Sequence, residues 1–330
     1  MPIRSFGLTD VGRKRDHNED SLFYNDELGL FVVADGMGGH AAGEVASAKA
    51  VEVIRDFVKR CREDDEFTWP YGLNPSLDDL QNTLVTAIKL ANREVWRLAQ
   101  DRPEHHGMGT TIASVHVLDN HCAVAHVGDS RVYLVRDRKM QQLTSDHSWV
   151  NEQLKRGIIS PEEARNHRWK NVITRALGNK EQIEVDVTSI ELRTDDVLLI
   201  CSDGLCAGDD VKEEVILEQI LEHVDDLPTA SRILIGLANE AGGRDNITVV
   251  LLRAFATEAD AKAAFRDRSA EDTNPMLLRS QISQSAVGKT ETPNKLAEPI
   301  EFGEVTKPVA KATSRDDIEL DDIFEQDQRS

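Results

Sequence analysis

Thr110-Thr111-Ile112-Ala113-Ser114-Val115-His116-Val117-Leu118, then Asp119-Asn120, His121-Cys122-Ala123-Val124-Ala125-His126, Val127-Gly128-Asp129-Ser130 and Arg131-Val132-Tyr133-Leu134-Val135-Arg136 form the stretch that decides the fold. Three apolar runs of strand length follow one another with only turn residues between them. A parallel crossover needs roughly a dozen or more connecting residues, so this spacing predicts antiparallel hairpins across Asp119-Asn120 and Gly128-Asp129-Ser130. Outward from it, strands are expected over 3–9, 22–24, 30–34, 185–191, 197–201 and 247–253. Apolar residues at helical spacing predict helices over 43–60 (Val45, Ala48, Val51, Ile54, Val58) and 77–100 (Leu80, Leu84, Ala87, Ile88, Ala91, Val95, Leu98), with Ser76 as N-cap of the second. Further helices are expected over 212–223 and 228–241. The pattern is that of an α+β protein with two sheets covered by helices.

Residues 146–178 stand apart. Ser160-Pro161-Glu162-Glu163 places Ser at an N-cap, Pro at the first helical position and Glu at the third, the start of a capping box. The segment also carries His147, Arg156, Arg165, His167, Arg168, Lys170 and Arg175, dense in cations for a chain whose formal net charge is −20. It reads as a solvated helical excursion or as a flap beside an anionic substrate. Beyond about residue 268 the apolar periodicity ends. Residues 271–330 hold 13 Asp or Glu against 7 Lys or Arg, so 1–255 is expected to be the folded domain that carries the function and 256–330 an acidic, largely disordered tail. In that tail Ile318, Leu320, Ile323 and Phe324 lie among carboxylates, as a solubilising segment or one that folds onto an unidentified partner.

The acidic balance, with a pI near 4.9, argues against nucleic-acid and anionic-membrane binding, since both reward Lys and Arg. No signal-peptide pattern opens the chain, and no apolar run approaches the roughly 18 residues of a membrane span. Cys61, Cys122, Cys201 and Cys206 lack metal-binding spacing. A monomeric cytoplasmic protein with reduced thiols is expected, with Cys201 as core packing.

Four acidic stretches punctuate this frame: Asn18-Glu19-Asp20, Asp35-Gly36-Met37-Gly38-Gly39, Ser202-Asp203-Gly204 and Arg244-Asp245-Asn246. Each alone is ordinary turn chemistry. Yet Asp35 and Asp203 directly follow the apolar runs 30–34 and 197–201, so they sit where a buried strand meets a loop. Desolvation there disfavours an ionised acid unless a cation compensates, and hard divalent ions do so through oxygen ligands. Gly36, without a side chain, leaves its carbonyl free to serve as one. Clustered carboxylates that hold two ions position a water for in-line attack on phosphorus. Arg15, five residues before Asp20, offers the bidentate guanidinium a phosphate favours.

At this point the chain resembles the bacterial type 2C metal-dependent protein serine/threonine phosphatases. The resemblance runs from about residue 6 to 252, through Asp10-Val11-Gly12, Asn18-Glu19-Asp20-Ser21, Ala34-Asp35-Gly36-Met37-Gly38-Gly39-His40, Met108-Gly109-Thr110-Thr111, Val127-Gly128-Asp129-Ser130-Arg131, Leu143-Thr144-Ser145-Asp146-His147-Ser148, Ile173-Thr174-Arg175-Ala176-Leu177-Gly178, Cys201-Ser202-Asp203-Gly204-Leu205 and Gly243-Arg244-Asp245-Asn246-Ile247-Thr248-Val249. It implies an α-β-β-α architecture, a central sandwich of two antiparallel sheets flanked by helix pairs. It further implies two Mn²⁺ or Mg²⁺ ions bridged by Asp35, with the Gly36 carbonyl, Asp203 and Asp245 completing one shell. Glu19 and Asp20 would act around the other ion, largely through water. Asp129, with Asp203, would hold a third, weaker ion, and Arg15 would grip the phosphate. A hydroxide bridging the two ions would attack phosphoserine or phosphothreonine directly, opposing cytoplasmic serine/threonine kinases; phosphoproteins, such a kinase among them, are the implied partners. The animal enzymes place a His two residues after the bridging Asp, where this chain has Met37, so the resemblance leaves the general acid unassigned, with His40 nearby in sequence.

Other classes fit less well. Gly128-Asp129-Ser130 resembles an ester-hydrolase nucleophile string, but Ser130 has no visible His partner. EF-hand ligand spacing is absent around Asp35 and Asp203. A silent phosphoprotein-binding relative would be expected to lack one of the core acids, and all are present. His116, His121 and His126 read as core or surface residues.

Overall fold

The structure, a computed structural model, describes residues 1–38, 42–64, 69–101, 103–206 and 211–264. All lie in one compact unit, Met1–Gln284; the second unit, Ser285–Ser330, and with it most of the expected acidic tail, lies outside the described residues. In chain order the elements are β1 (Ile3–Asp10), β2 (Asp20–Asn25), β3 (Leu30–Met37), α1 (Ala42–Glu63), α2 (Asp79–Asp101), β4 (Gly109–Thr110), β5 (Ile112–Leu118), β6 (His121–Val127), β7 (Arg131–Arg136), β8 (Lys139–Gln142), α3 (Trp149–Lys155), α4 (Pro161–Arg165), β9 (Asp186–Glu191), β10 (Val197–Cys201), α5 (Asp203–Cys206), α6 (Glu213–Glu222), α7 (Leu227–Glu240), β11 (Ile247–Ala254) and α8 (Glu258–Ala264). They build two sheets, ordered β1-β11-β10-β7-β8 and β2-β3-β5-β6-β9, with β4 paired to β3. Every pairing is antiparallel. The expected α-β-β-α sandwich is what the chain forms.

The two-residue side-chain period of a strand divides the core in two. Along β10, Leu198 and Ile200 join Val33, Val115, Val132 and Val250 between the sheets, whereas Val197, Leu199 and Cys201 join Ile216, Ile220 and Leu234 beneath α6 and α7. Both faces are buried, which is why β10 reads as one unbroken apolar run. On the other side, α1 and α2 pack together and cover β3, β5 and β6.

Two connections decide where chemistry sits. The β5–β6 link is the expected hairpin: Leu118 faces His121, and Asp119 takes the left-handed conformation at φ 56° that tight hairpins require. The Gly128-Asp129-Ser130 link is not a hairpin, contrary to the sequence expectation. β6 pairs with β5 and β9 in one sheet, while β7 pairs with β10 and β8 in the other. The chain therefore crosses between sheets at Gly128, whose φ of +104° and whose Cβ-less approach to the Thr111 side chain exclude other residues. Asp129 is thereby delivered to the end of the sandwich.

Smaller differences have local causes. The N-cap of α2 is Asp78, not Ser76: Asp78 Oδ1 accepts from the Gln81 N–H at 2.8 Å and the Gln81 side chain accepts from the Asp78 N–H at 3.0 Å, a reciprocal box. The strand expected over 110–118 breaks at Thr111 into β4 and β5. β8, Lys-Met-Gln-Gln, is a polar edge strand that carries no apolar signal. The helix α8, with Ala261 wholly buried, continues the described structure past residue 255. The capping box at Ser160 is present as read. No helix is long and apolar enough to cross a membrane among the described residues.

Candidate metal centre

The acidic stretches converge at one end of the sandwich because of register. Asp20 in β2 stands directly across from Asp35 in β3. Like charges facing each other across a ladder are destabilising, so the pairing itself creates demand for a cation. Asp35 lies inside its strand rather than at the strand end expected from sequence, since Gly36 and Met37 continue β3 and pair with Thr110 and Gly109. The Asp35 N–H donates to Thr111 Oγ1 at 3.0 Å, and the Thr111 N–H donates to the Asp35 carbonyl at 2.8 Å. Asp203 opens α5 right after β10, Asp245 precedes β11, and Asp129 lies on the crossing between the sheets.

These carboxylates are poor in compensating charge. Ser202 Oγ and Thr248 Oγ1 donate to Asp20 Oδ2 at 2.8 and 2.6 Å. The other Asp20 oxygen, one Asp129 oxygen and one Asp203 oxygen are buried with no hydrogen-bond partner among the described residues. Burial pushes Asp20 up to about 7, partly offset by the two hydroxyls and reinforced by Asp203 and Asp245. Burial, then Asp203 and Asp146, pushes Asp129 up to about 8. Burial and Asp245 raise Asp203 to about 6. Asp35 is held well above the ordinary carboxylate range, first by burial and then by Asp20, Asp203, Asp129 and Asp245. An all-oxygen set of buried, mutually repelling acids with unsatisfied lone pairs suits a hard divalent cation.

Gly36 serves a purpose the sequence did not disclose. A Cβ there would meet the Gly43 carbonyl at 2.1 Å and the Glu19 carbonyl at 2.5 Å. The glycine thus lets three backbone segments pack together at the centre. The Glu19 carboxylate accepts from the Gly43 N–H near the start of α1, where the helix dipole favours an anion, while burial raises its pKa. Arg15, half exposed at the rim, donates from Nη2 to Asp245 Oδ2 at 2.7 Å, using one of its five N–H donors. Met37 offers no proton, and His40 lies outside the described residues. Ser130 is buried and its hydroxyl is 2.7 Å from that of Thr111, which fits no exposed nucleophile.

Sequence reasoning missed the residues that hold this arrangement. Asn246 Oδ1 accepts from the Glu19 N–H at 2.8 Å, and its amide donates to the Val11 and His17 carbonyls, both at 2.9 Å. It ties the Arg15 loop to the start of β11. Thr248, inside a quoted motif, positions Asp20. Their signal was proximity to Asp245, but which atoms they bond depends on the fold.

A second cluster lies at the neck of the flap. His126 and His147 stack at 4.7 Å and 16°, and with Asp186 they present potential ligand atoms within 4.8 Å of one another. Arg175 Nη1 donates to Asp186 Oδ1 at 2.6 Å and lies 3.1 Å from His147 Nε2. His147 also clamps the sheet crossing: its Nδ1 accepts from the Gly128 N–H at 3.1 Å and its N–H donates to the Gly128 carbonyl at 2.9 Å. Between flap and body a cleft of about 1130 Å³ is lined by Asp129 and Asp203 on the metal side, by Arg165 and Lys170 on the flap, and by Lys212 and Cys206 opposite.

Known proteins share this fold and sequence pattern. A family model described as protein phosphatase 2C matches residues 12–233. The serine/threonine phosphatase stp of Listeria innocua serovar 6a is 40% identical over 247 residues, 74% of this chain and 93% of the relative. Protein phosphatase PhpP of Streptococcus pneumoniae serotype 2 is 38% identical over 253 residues, 74% of this chain and 95% of the relative. Among solved structures, the Mycobacterium tuberculosis serine/threonine phosphatase PstP/Ppp superposes with a TM-score of 0.67 at 35% identity, covering 77% of this chain and 100% of that one. The PstP catalytic domain in complex with 2 manganese ions gives 0.65 at 35% identity, covering 77% and 99%.

Proposed function

The chain belongs to the protein phosphatase 2C family, and from that premise we propose how its own residues carry out the reaction. It is a metal-dependent protein serine/threonine phosphatase. Asp35, the Gly36 carbonyl, Asp203 and Asp245 would hold one Mn²⁺ or Mg²⁺ ion; Asp35 and Asp20 would face the second, with Glu19 acting through water. Asp129 with Asp203 would hold a third, weaker one. When bound, the ions supply Lewis acidity that activates a water for in-line attack on the phosphorus of phosphoserine or phosphothreonine, with no phosphoenzyme. The single observation that carries this reading is the set of unpartnered, buried oxygens on Asp20, Asp129 and Asp203, beside the Asp20–Asp35 pair.

The chain's own contribution is positional. Ser202 and Thr248 fix the Asp20 carboxylate, so the rotamer facing the centre is set before substrate arrives. Asn246 holds the Arg15 loop against β11, keeping the guanidinium at the rim. There Arg15 exchanges part of its bond to Asp245 for the substrate's phosphate oxygens and offsets their charge. The substrates are phosphorylated proteins in the cytoplasm, a serine/threonine kinase and its targets among them, and the flap-side cleft receives the chain flanking the phosphoresidue. Phosphate release from a phosphothreonine peptide with Mn²⁺ tests the assignment: Asp35→Asn should lose turnover and Arg15→Ala should raise KM. Unchanged turnover in Asp35→Asn would remove the metal-bridge role.

A further inference from the structure

Two thiols bracket Asp203. Cys201 ends β10 and is wholly buried, fixed in the ladder opposite Val249 and Arg131. Cys206 closes α5, the short helix that Asp203 opens. Both thiols are free, and their sulfurs lie 3.7 Å apart. Cys206 lines the flap-side cleft, so a small solute reaches it without unfolding. The hydrogen bond from Cys201, with Arg131 and the Tyr133 hydroxyl, holds the Cys206 thiol below its ordinary range against the opposing effect of burial. Burial instead pushes Cys61 to about 11 and Cys122 to about 12. Reactivity toward oxidants requires access, and the cleft-lining cysteine combines it with a second sulfur 3.7 Å away.

We propose that Cys201 and Cys206 form a peroxide-sensitive dithiol whose oxidation to a disulfide disables the metal centre through Asp203. The chemistry balances with hydrogen peroxide as oxidant. The Cys206 sulfur attacks one peroxide oxygen, the O–O bond breaks, and the departing hydroxide takes up a proton as water, leaving a sulfenic acid. The Cys201 sulfur then attacks the Cys206 sulfur, the S–O bond breaks, and the hydroxide leaves with the Cys201 proton as a second water. Two thiols supply the two electrons that reduce one peroxide.

The geometry couples this bond to the site. A disulfide spans about 2.05 Å, so the sulfurs must close most of their present 3.7 Å separation. Cys201 is held on both sides by its ladder, so the movement falls on α5. That helix has no slack: a Cβ on Gly204 would lie 2.0 Å from the Asn246 carbonyl. Drawing Cys206 toward β10 therefore shifts Asp203 relative to Asp245 and Asn246. This consequence rests on Asp203 being a metal ligand, as proposed above; formation of the bond does not.

The test uses the full chain loaded with Mn²⁺, treated with hydrogen peroxide and quenched with catalase. Non-reducing peptide mapping should show a linked Cys201–Cys206 peptide, and phosphate release should fall roughly 10- to 100-fold, the usual scale for disturbing a metal site's support. Dithiothreitol should restore it. Cys206→Ser should keep after peroxide whatever turnover it shows before it; if it folds poorly, Cys206→Ala takes its place, and Cys61→Ser should be inactivated as wild type is. Absence of the linked peptide, or inactivation of the Cys206 variants as readily as wild type, would overturn the dithiol. A linked peptide with full activity would overturn its coupling to the centre. Wild-type turnover in Asp203→Asn would refute the ligand assignment while leaving the linked peptide in place, so the two failures are distinguishable.

Discussion

Two charged clusters face each other across the Gly128 crossing, and they handle charge in opposite ways. At the flap neck, Asp186 is matched by Arg175, and both groups meet His147 on the same side. At the sandwich end, Asp20, Asp35, Asp129 and Asp203 repel one another, and Arg15 reaches only Asp245 among the described residues. The neck cluster brings its potential ligand atoms within 4.8 Å of one another, yet it makes the poorer metal site. A guanidinium already occupies its charge, and two nearly parallel rings cannot both point a nitrogen lone pair, which lies in the ring plane, at one ion. Convergence of ligand types is therefore a weaker indicator than unmet electrostatic demand. The neck instead fastens the flap to the crossing that carries Asp129.

Mutations that exchange charge at the two clusters should separate them. Asp35→Asn is expected to lower kcat on a phosphopeptide on the order of 10²–10³-fold, the scale of losing a major electrostatic stabiliser. Asp186→Asn at the neck should leave kcat within about threefold, since its role is to anchor. Equal losses in steady-state assays of the two would erase the distinction. Arg15→Ala should come next, with kcat/KM reduced about 10- to 100-fold through loss of a charged hydrogen bond, read from saturation curves.

The pH dependence of stability sharpens the contrast. Unfolded aspartates ionise near 3.9, whereas the folded chain keeps Asp203, Asp20 and Asp129 protonated up to about 6, 7 and 8. Between those values the folded state binds more protons than the unfolded one. The stability these acids contribute to chelator-treated protein should therefore be fully present below about pH 4 and be lost as pH rises toward about 8, by up to ~1.4 kcal/mol per pH unit for each group titrating. Mn²⁺ should flatten the slope, and thermal melts with and without it check this. A metal-free slope of opposite sign would mean the acids are compensated within the chain. The smallest effect expected is from Arg175→Ala, about 1 kcal/mol of stability, with little change in Mn²⁺ affinity by titration calorimetry.

The strands and the helix pairs were legible because apolar period and run length report burial directly. Position along the chain also marked Asp20, Asp35, Asp203 and Asp245. What could not be read was pairing. A short turn between two strands looks the same whether it folds a hairpin, as at Asp119, or crosses between sheets, as at Gly128. The Asp20–Asp35 opposition depends on the register of β2 against β3. Gly36 was read as an open carbonyl; its tight packing against Gly43 and Glu19 involves segments that only the fold brings together. Arg175 and His147 were visible as cations of the excursion, but their partner Asp186 lies past its end.

The central claim is that the aspartates at the sandwich end hold divalent ions for phosphate hydrolysis. Anomalous diffraction at the manganese edge from Mn²⁺-soaked crystals tests it most directly. The account predicts two strong peaks flanking the Asp35 carboxylate, within ligand distance of Asp203 and Asp245 on one side and facing Asp20 on the other, with any third peak weaker and beside Asp129. Peaks confined to His126, His147 and Asp186, or none at Asp35 at saturating Mn²⁺, would contradict it.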